Sequence, residues 1–153
     1  MTGDIRPLTP AEVALTASVF GEALDPAPVT IRRRKWFWLQ PRHLTMAPDG
    51  HIWCHPQGHA WRPCFAQDSL VGQAFFLHEM THVWQHQCGI NLLLRRWPLA
   101  RYRYTLTPEK PLHAYGIEQQ ACIVADAFLA RAGLARPATL ADYRAVMPFA
   151  PWR

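Results

Sequence analysis

The sequence predicts a small α+β domain in which a short β-hairpin packs on two long helices. Three observations indicate this fold class. A turn signal at residues 47–50 separates two short segments rich in strand-forming residues. The chain between Gln73 and Cys88 is largely apolar and contains no Pro or Gly. Residues 117–132 repeat apolar side chains at helical spacing. At 153 residues, the chain is expected to form one domain, 1–153.

Composition favours a globular protein and argues against several other classes. Half of the residues are hydrophobic and seven are Trp, which is not the composition of a disordered chain. No apolar run approaches the roughly 18 residues of a membrane span, so no membrane partner is expected. Residues 1–11 lack the apolar segment of a signal peptide, which predicts a cytoplasmic location, with signal-independent export left open. The four scattered cysteines predict free thiols, and a Cys54–Cys64 bridge is the alternative for an exported protein.

The first helix is predicted to begin after Thr9, with Pro10 in its first turn and Glu12 closing a capping box. It should end near Gly21, and its expected role is to cover a sheet. Residues 29–40 are rich in β-branched and aromatic side chains and predict a strand region.

Residues 43–46 and 51–54 predict the two strands of the hairpin. An exposed hairpin edge just before the central helix can hold an extended peptide by main-chain hydrogen bonds. The loop at 54–64 is dense in Cys and His, but its Cys spacing fits no common zinc pattern. It is therefore expected to rim a cleft, and a second metal site is the less favoured interpretation.

The central helix is predicted to start at Asp68 or Ser69 and to stop at Gly89. Its buried faces should be formed by six apolar residues: Phe75, Phe76, Leu77, Met80, Val83 and Trp84. An apolar and basic connector follows at 92–104, with room for a short helix and with Trp97 and Pro98 inside it. The helix at 117–132 should end before Gly133, and a final short helix should run from Thr139 to Val146.

The central helix carries an H-E-x-x-H motif formed by His78, Glu79 and His82. Residues four apart lie on one face of a helix, so the two imidazoles can address one point, as two ligands of a tetrahedral zinc ion do. Glu79 lies about 100° further round the helix, where it can accept a proton from a water at that point. Burying these three polar groups on an apolar helix would be costly without a partner such as a metal.

A catalytic zinc site needs a third protein ligand and one open position. Glu118 is favoured because it opens the second long helix, where a carboxylate also suits the helix dipole. Asp126, two turns later, suits a hydrogen bond to a ligand imidazole better. Cys88 and His86 remain alternatives, although an unbroken helix would direct Cys88 away from the motif.

The segments at 77–85 (L-H-E-M-T-H-V-W-Q) and 115–121 (Y-G-I-E-Q-Q-A) resemble gluzincin metallopeptidases. More narrowly, they resemble small bacterial domains of the H-E-L-T-H-V-x-Q type, which occur alongside contractile injection systems and spike-related (Vgr/Rhs-type) proteins. The resemblance implies a zincin-like fold in which His78, His82 and Glu118 bind Zn²⁺ and Glu79 is the general base. The sequence departs from thermolysin-like enzymes at Cys122, where those enzymes carry Asp. Asp126 or Gln119 is then the expected substitute as partner of a ligand.

The predicted function is hydrolysis of a protein or peptide substrate by a zinc metallopeptidase, which needs a zinc-bound water, a general base and a second donor for the oxyanion. Tyr115 is the first candidate for the donor, followed by His113, Tyr102 and Tyr104. Two rival functions are a non-catalytic zinc domain of a secretion or injection apparatus and a nucleic-acid-binding domain. The latter would use the basic residues at 32–35, beside aromatic residues, and at 95–103, and it is the less expected of the two.

Overall fold

The computed structural model describes residues 3–96 and 100–153. This part of the chain contains four short strands and five α-helices. The strands are β1 (Ile5–Pro7), β2 (Thr30–Arg32), β3 (Thr45–Met46) and β4 (Ile52–Cys54), and the helices are α1 (Pro10–Phe20), α2 (Leu70–Gln87), α3 (Leu92–Arg96), α4 (Ile117–Arg131) and α5 (Leu140–Val146). The α+β class predicted from the sequence is therefore confirmed.

The strands form one sheet in the order β1-β2-β4-β3. β3 and β4 are the antiparallel pair predicted as a hairpin, with Thr45 opposite Cys54. β2 lies parallel to β4 and antiparallel to β1. The strand predicted at residues 29–40 is much shorter, since only Thr30–Arg32 joins the sheet. Beyond it the chain turns away, because the buried Gln40 side chain accepts a hydrogen bond from Trp36 N and donates one to Leu44 O.

Three predicted helix starts have the expected caps. Thr9 and Glu12 form the capping box of α1, Ser69 accepts a hydrogen bond from Gly72 N at the start of α2, and Thr139 caps α5. α2 stops where predicted because Gly89 adopts a φ of 82°, which few other residues tolerate. Local sequence thus defines the helix boundaries well.

The core lies between the sheet and α2 and α4, closed by α1, α5 and the C-terminal turn. Its largest fully buried side chains include Phe20, Ile31, Phe76, Met80, Ile123 and Tyr143. The sequence predicts Phe75 in this core, but its side chain is 36% exposed, with its ring 6.2 Å from that of the buried Phe65. Trp84 is half-buried. All four cysteines are free thiols, so the alternative Cys54–Cys64 bridge is not formed.

Two sequence-based expectations concern residues that the structure does not describe. Met1 and Thr2 belong to the segment searched for a signal peptide, and Trp97 and Pro98 belong to the predicted connector; these four lie outside the described residues. Within the described part, no helix combines the length and apolar character that crossing a membrane requires.

Candidate metal centre

His78, His82 and Glu118 converge on one point between α2 and α4. Glu118 Oε2 lies 3.2 Å from His78 Nε2 and 3.1 Å from His82 Nε2. One ligand atom from each of the three residues lies within 4.8 Å of the others. Glu118 is 3% exposed and His82 is 7% exposed, so the cluster is buried on the protein side. Of the described residues, this is the one group of three or more potential ligand side chains that could hold a metal.

Helix geometry and helix packing together produce this arrangement. His78 and His82 are one turn apart on α2, and their rings stand 5.1 Å apart at an angle of 79°. Glu118 is the second residue of α4, which begins at Ile117 after the N-cap Gly116. Its carboxylate therefore lies in the first turn, where the helix dipole favours a negative charge.

Gln85 determines which nitrogen of His82 carries a proton. Gln85 Nε2 donates to the main-chain oxygen of Ile117 and to Gln120 Oε1, both at 3.0 Å. Gln85 Oε1 must then be the acceptor in its 2.8 Å contact with His82 Nδ1, so Nδ1 bears the proton. In the neutral imidazole, His82 Nε2 then carries no proton, and its lone pair faces the Glu118 carboxylate.

Two acceptors facing each other at 3.1 Å require a positive charge between or on them. Burial alone would raise the pKa of Glu118, but hydrogen bonds from His78 and His82 outweigh it and hold that pKa well below its ordinary value. Burial alone would lower the pKa of His82, yet its hydrogen bond to Glu118 and the nearby Glu79 charge raise it. Either an imidazolium or a bound cation meets this requirement.

The donor set fits zinc. Two imidazole nitrogens and one carboxylate oxygen are ligands of catalytic zinc sites. Two atoms that bind one zinc ion tetrahedrally at about 2.0–2.1 Å lie roughly 3.3 Å apart. The observed separations of 3.1 and 3.2 Å are close to this value. Glu79, adjacent to His78 in the chain, is 6% exposed.

The other candidates for the third ligand lie elsewhere. Asp126 accepts hydrogen bonds from Tyr104 and Arg136. Cys88 caps the exposed end of α2, and the exposed His86 packs beside the turn at Gly50. The Cys- and His-rich loop at 54–64 contributes no potential metal-binding group of three within the described residues.

The prediction that Asp126 or Gln119 hydrogen-bonds a ligand side chain is wrong. Gln119 instead bonds Gly116 N and the main-chain oxygen of Arg103. Gln85 is the hydrogen-bond partner of His82. Residues three apart on a helix are neighbours, so the spacing of Gln85 from His82 could have predicted this contact. Cys122 Sγ lies 4.0 Å from His78 Nδ1. Burial, with the Glu118 charge, raises the pKa of Cys122 to about 11, so it remains a neutral thiol.

The tyrosines predicted as oxyanion donors differ in their surroundings. The Tyr115 hydroxyl accepts a hydrogen bond from Thr107 N at 3.0 Å. Tyr104 bonds Asp126 and Tyr143. Tyr102 is 46% exposed. The exposed His113 lines a separate open groove of about 880 Å³ between the 104–113 segment and α5.

A small apolar recess opens beside the ligands. Met46, Ala47, Pro48, Leu92, Leu93 and Ile117 line it together with His82 and Glu118. Met46 belongs to β3, which forms one edge of the sheet. The edge strand predicted to hold a peptide is thus adjacent to the His/Glu cluster.

Comparison with known proteins concerns the chain as a whole. No protein-family model matches the chain. It is 40% identical over 132 residues to the type VI secretion system spike protein VgrG2b of Pseudomonas aeruginosa, in a match that covers 81% of this chain and 13% of that protein. The chain therefore spans a small part of that curated relative.

A solved structure, the effector domain of Pseudomonas aeruginosa VgrG2b, superposes with a TM-score of 0.81 at 37% identity. The match covers 92% of this chain and 83% of that domain. Both the fold and the sequence agree over nearly the whole length. The chain belongs to the family of the VgrG2b effector domain.

Proposed function

We propose that this protein is a zinc-dependent peptidase that serves as an effector of a type VI secretion system. The observation that carries the proposal is the buried convergence of His78, His82 and Glu118, with Glu79 next to it. The secretion role rests on the relatives, one described as a spike protein of that system and one as an effector domain.

His78, His82 and Glu118 would hold the metal through two Nε2 atoms and one carboxylate oxygen. A zinc ion bound there would act as a Lewis acid and would lower the pKa of a water. Glu79, as general base, would accept a proton from the attacking water and then donate it to the leaving amine. Gln85 keeps the proton of His82 on Nδ1, which leaves Nε2 available as a ligand.

The sheet edge supports a peptide as the substrate. β3 ends at Met46, and Met46, Ala47 and Pro48 line the recess that also contains His82 and Glu118. An extended peptide paired with β3 by main-chain hydrogen bonds would pass next to the ligands. The apolar lining of the recess suits an apolar substrate side chain.

The decisive experiment compares the wild-type protein with Glu79→Gln and Glu118→Ala. Zinc content is measured on the purified proteins, and new protein N-termini are counted by mass spectrometry after incubation with a bacterial lysate. The wild type should bind about one zinc and generate new N-termini that a chelator prevents. Glu79→Gln should retain zinc and lose at least 100-fold in cleavage rate, whereas Glu118→Ala should lose both.

Two outcomes would contradict this function. Cleavage retained by Glu79→Gln would refute its role as general base. Zinc binding by the wild type without any cleavage would instead support a non-catalytic zinc domain.

The oxyanion donor remains a prediction, with Tyr115 first and His113, Tyr102 and Tyr104 as alternatives. Tyr102 is tested beside Tyr115, because Tyr104 bonds Asp126 and Tyr143 and His113 lines a separate groove. Loss of such a donor costs about 100- to 1,000-fold in kcat. Tyr115→Phe and Tyr102→Phe are compared, and the variant whose kcat falls about 100- to 1,000-fold while its zinc content is unchanged identifies the donor. Independently of catalysis, Tyr115→Phe should lose about 1 kcal/mol of stability, because Thr107 N loses its acceptor.

A further inference from the structure

The loop that joins β2 to β3, residues 33–44, carries an apolar tip that takes no part in the metal centre. Phe37, Trp38 and Leu39 are consecutive and are 40%, 80% and 61% exposed. Trp38 is the most exposed of the large hydrophobic side chains described by the structure. A tip of three adjacent exposed apolar side chains has an energetic cost in water and indicates a contact surface.

The same loop is strongly basic. Its exposed cations are Arg33, Arg34, Lys35 and Arg42. None of these four side chains forms an ion pair with a carboxylate of the described residues. No Asp or Glu occurs between Asp25 and Asp49 in the sequence. The charge that surrounds the apolar tip is therefore positive, and it complements an anionic partner.

Contacts at its base hold this loop in place. The Trp36 ring packs on Trp53 of β4 with centroids 5.3 Å apart, so this aromatic residue points back to the sheet. Gln40 bonds the main chain on both sides of the tip. Gly58 approaches so closely that a Cβ there would lie 2.2 Å from Arg42 O. The exposure of the tip is thus a property of a fixed loop and not of a frayed one.

We propose that the 33–44 loop docks the protein on the surface of an anionic lipid bilayer. Trp38, Phe37 and Leu39 enter the interfacial region, where aromatic and apolar side chains are stabilised. The adjacent Arg and Lys side chains bind the lipid phosphates and gain from the negative surface potential. This contact is peripheral and needs no spanning helix. The proposal departs from the expectation of no membrane partner, which rests on the absence of a spanning segment.

A single-stranded nucleic acid would share the attraction to Arg and Lys, and its bases could stack on Trp38. Leu39 decides between the two partners. It is 61% exposed and offers no aromatic face to a base, whereas a bilayer interface accommodates Leu and Trp alike.

The test is cosedimentation of the zinc-free 153-residue protein with vesicles. One set contains equal amounts of phosphatidylglycerol and phosphatidylcholine, and the other contains phosphatidylcholine alone. The wild type should bind the anionic vesicles. Arg33→Gln/Arg34→Gln/Lys35→Gln should bind them on the order of 100-fold more weakly, because each cation near such a surface contributes about fivefold. Trp38→Ser/Leu39→Ser should lose at least about tenfold.

Two matched variants control for general surface effects. Val71→Ser changes an apolar side chain that is 65% exposed on α2, and Arg101→Gln/Arg103→Gln/Arg144→Gln removes three exposed charges elsewhere. Both should bind the anionic vesicles as the wild type does, and so should Glu118→Ala. Loss of zinc binding and loss of vesicle binding are therefore separable.

Several results would overturn the proposal. These are absence of wild-type binding to anionic vesicles, equal binding to both vesicle types, and unchanged binding by the Trp38/Leu39 variant. Weakening by the control variants to the same extent would also refute it. Salt-sensitive binding of a single-stranded oligonucleotide without vesicle binding would assign the loop to nucleic acid instead.

Discussion

Two buried carboxylates, Glu12 and Glu118, occupy opposite kinds of site in this protein. Glu12 is fully buried and accepts four hydrogen bonds: two from Arg6 at 2.8 and 2.9 Å, one from Thr9 N and one from Phe65 N. Glu118 is 3% exposed and faces the Nε2 atoms of two histidines. The Glu12 partners are donors at any ordinary pH, whereas His82, whose proton is held on Nδ1 by Gln85, can donate from Nε2 to Glu118 only as an imidazolium.

This difference separates a structural carboxylate from a candidate functional one. Arg6 carries its charge permanently, so the protein itself neutralises Glu12. At the Glu118 cluster, Gln85 holds the His82 proton on Nδ1, so the 3.1 Å contact of His82 Nε2 with the carboxylate requires an added proton or a metal ion. The second site, with its two imidazoles and one carboxylate, has the donor set through which a bound metal would stabilise the folded state.

The largest expected effect is on stability, in Glu12→Gln. The substitution leaves the Arg6 guanidinium, which is 17% exposed, without its carboxylate. We expect a loss of about 3 kcal/mol in the free energy of unfolding, as for other broken buried ion pairs. Urea denaturation of the zinc-free protein measures it.

Arg62→Gln is the matched control. It breaks an ion pair of the same 2.8 Å length, with Asp68, whose two side chains are 43% and 23% exposed. Because solvent screens this pair, the loss should stay below about 1 kcal/mol. Equal losses in the two variants would mean that burial does not distinguish the Glu12 site.

The second effect concerns metal binding, in Glu118→Gln. The substitution replaces the anionic ligand by a neutral amide of nearly the same size. Zinc affinity should fall at least about 100-fold, because loss of a group that only orients a ligand already costs about 10- to 100-fold. Competition with a chromophoric chelator measures the affinity. In a thermal melt, zinc should raise the Tm of the wild type and of Glu12→Gln but not that of Glu118→Gln. A zinc-dependent rise retained by Glu118→Gln would remove this residue from the metal centre.

The third effect is smaller and tests Gln85 as a positioning residue. Gln85→Met removes the acceptor for His82 Nδ1, and we expect zinc affinity to fall about 10- to 100-fold. Nitrogen NMR of the metal-free protein should show His82 losing its preference for a proton on Nδ1. The control is Gln87→Met on the same helix, which removes bonds to Asp25 only and should leave affinity and tautomer unchanged. An unaltered tautomer in Gln85→Met would refute the role.

The helices that carry the site could be predicted from the sequence because their signals are local. The capping box at Thr9, the Ser69 cap and the positive φ of Gly89 each depend on a few neighbouring residues. The pairing of His78 with His82 follows from helical periodicity alone. Glu118 was favoured from the sequence by its place at the start of the second long helix, and the structure brings it to the two histidines.

Contacts between distant segments could not be predicted in the same way. Phe65 N reaches Glu12 across 53 residues, and Gln85 reaches Gln120 across 35, with no periodic pattern to indicate either. The strand predicted at 29–40 was overextended, because aromatic residues typical of a strand form the tip of a loop that Gln40 closes. Residue types that suit both a sheet and an exposed surface cannot be told apart by propensity alone.

The smallest effect sharpens the comparison through pH. Burial alone would raise the pKa of Glu12, but the hydrogen bonds from Arg6, Thr9 and Phe65 lower it below its ordinary value of 4.5. A group with a lowered folded-state pKa stabilises the fold above its unfolded pKa, and this stabilisation disappears as the pH falls through the folded value. The unfolding free energy of the wild type should therefore decrease more steeply below about pH 4.5 than that of Glu12→Gln. Glu118 also has a lowered pKa, but it is present in both proteins, so its contribution cancels in the difference between the two zinc-free unfolding curves. A difference that stays constant from pH 7 to acid would show that Glu12 stabilises the fold without any link to its proton.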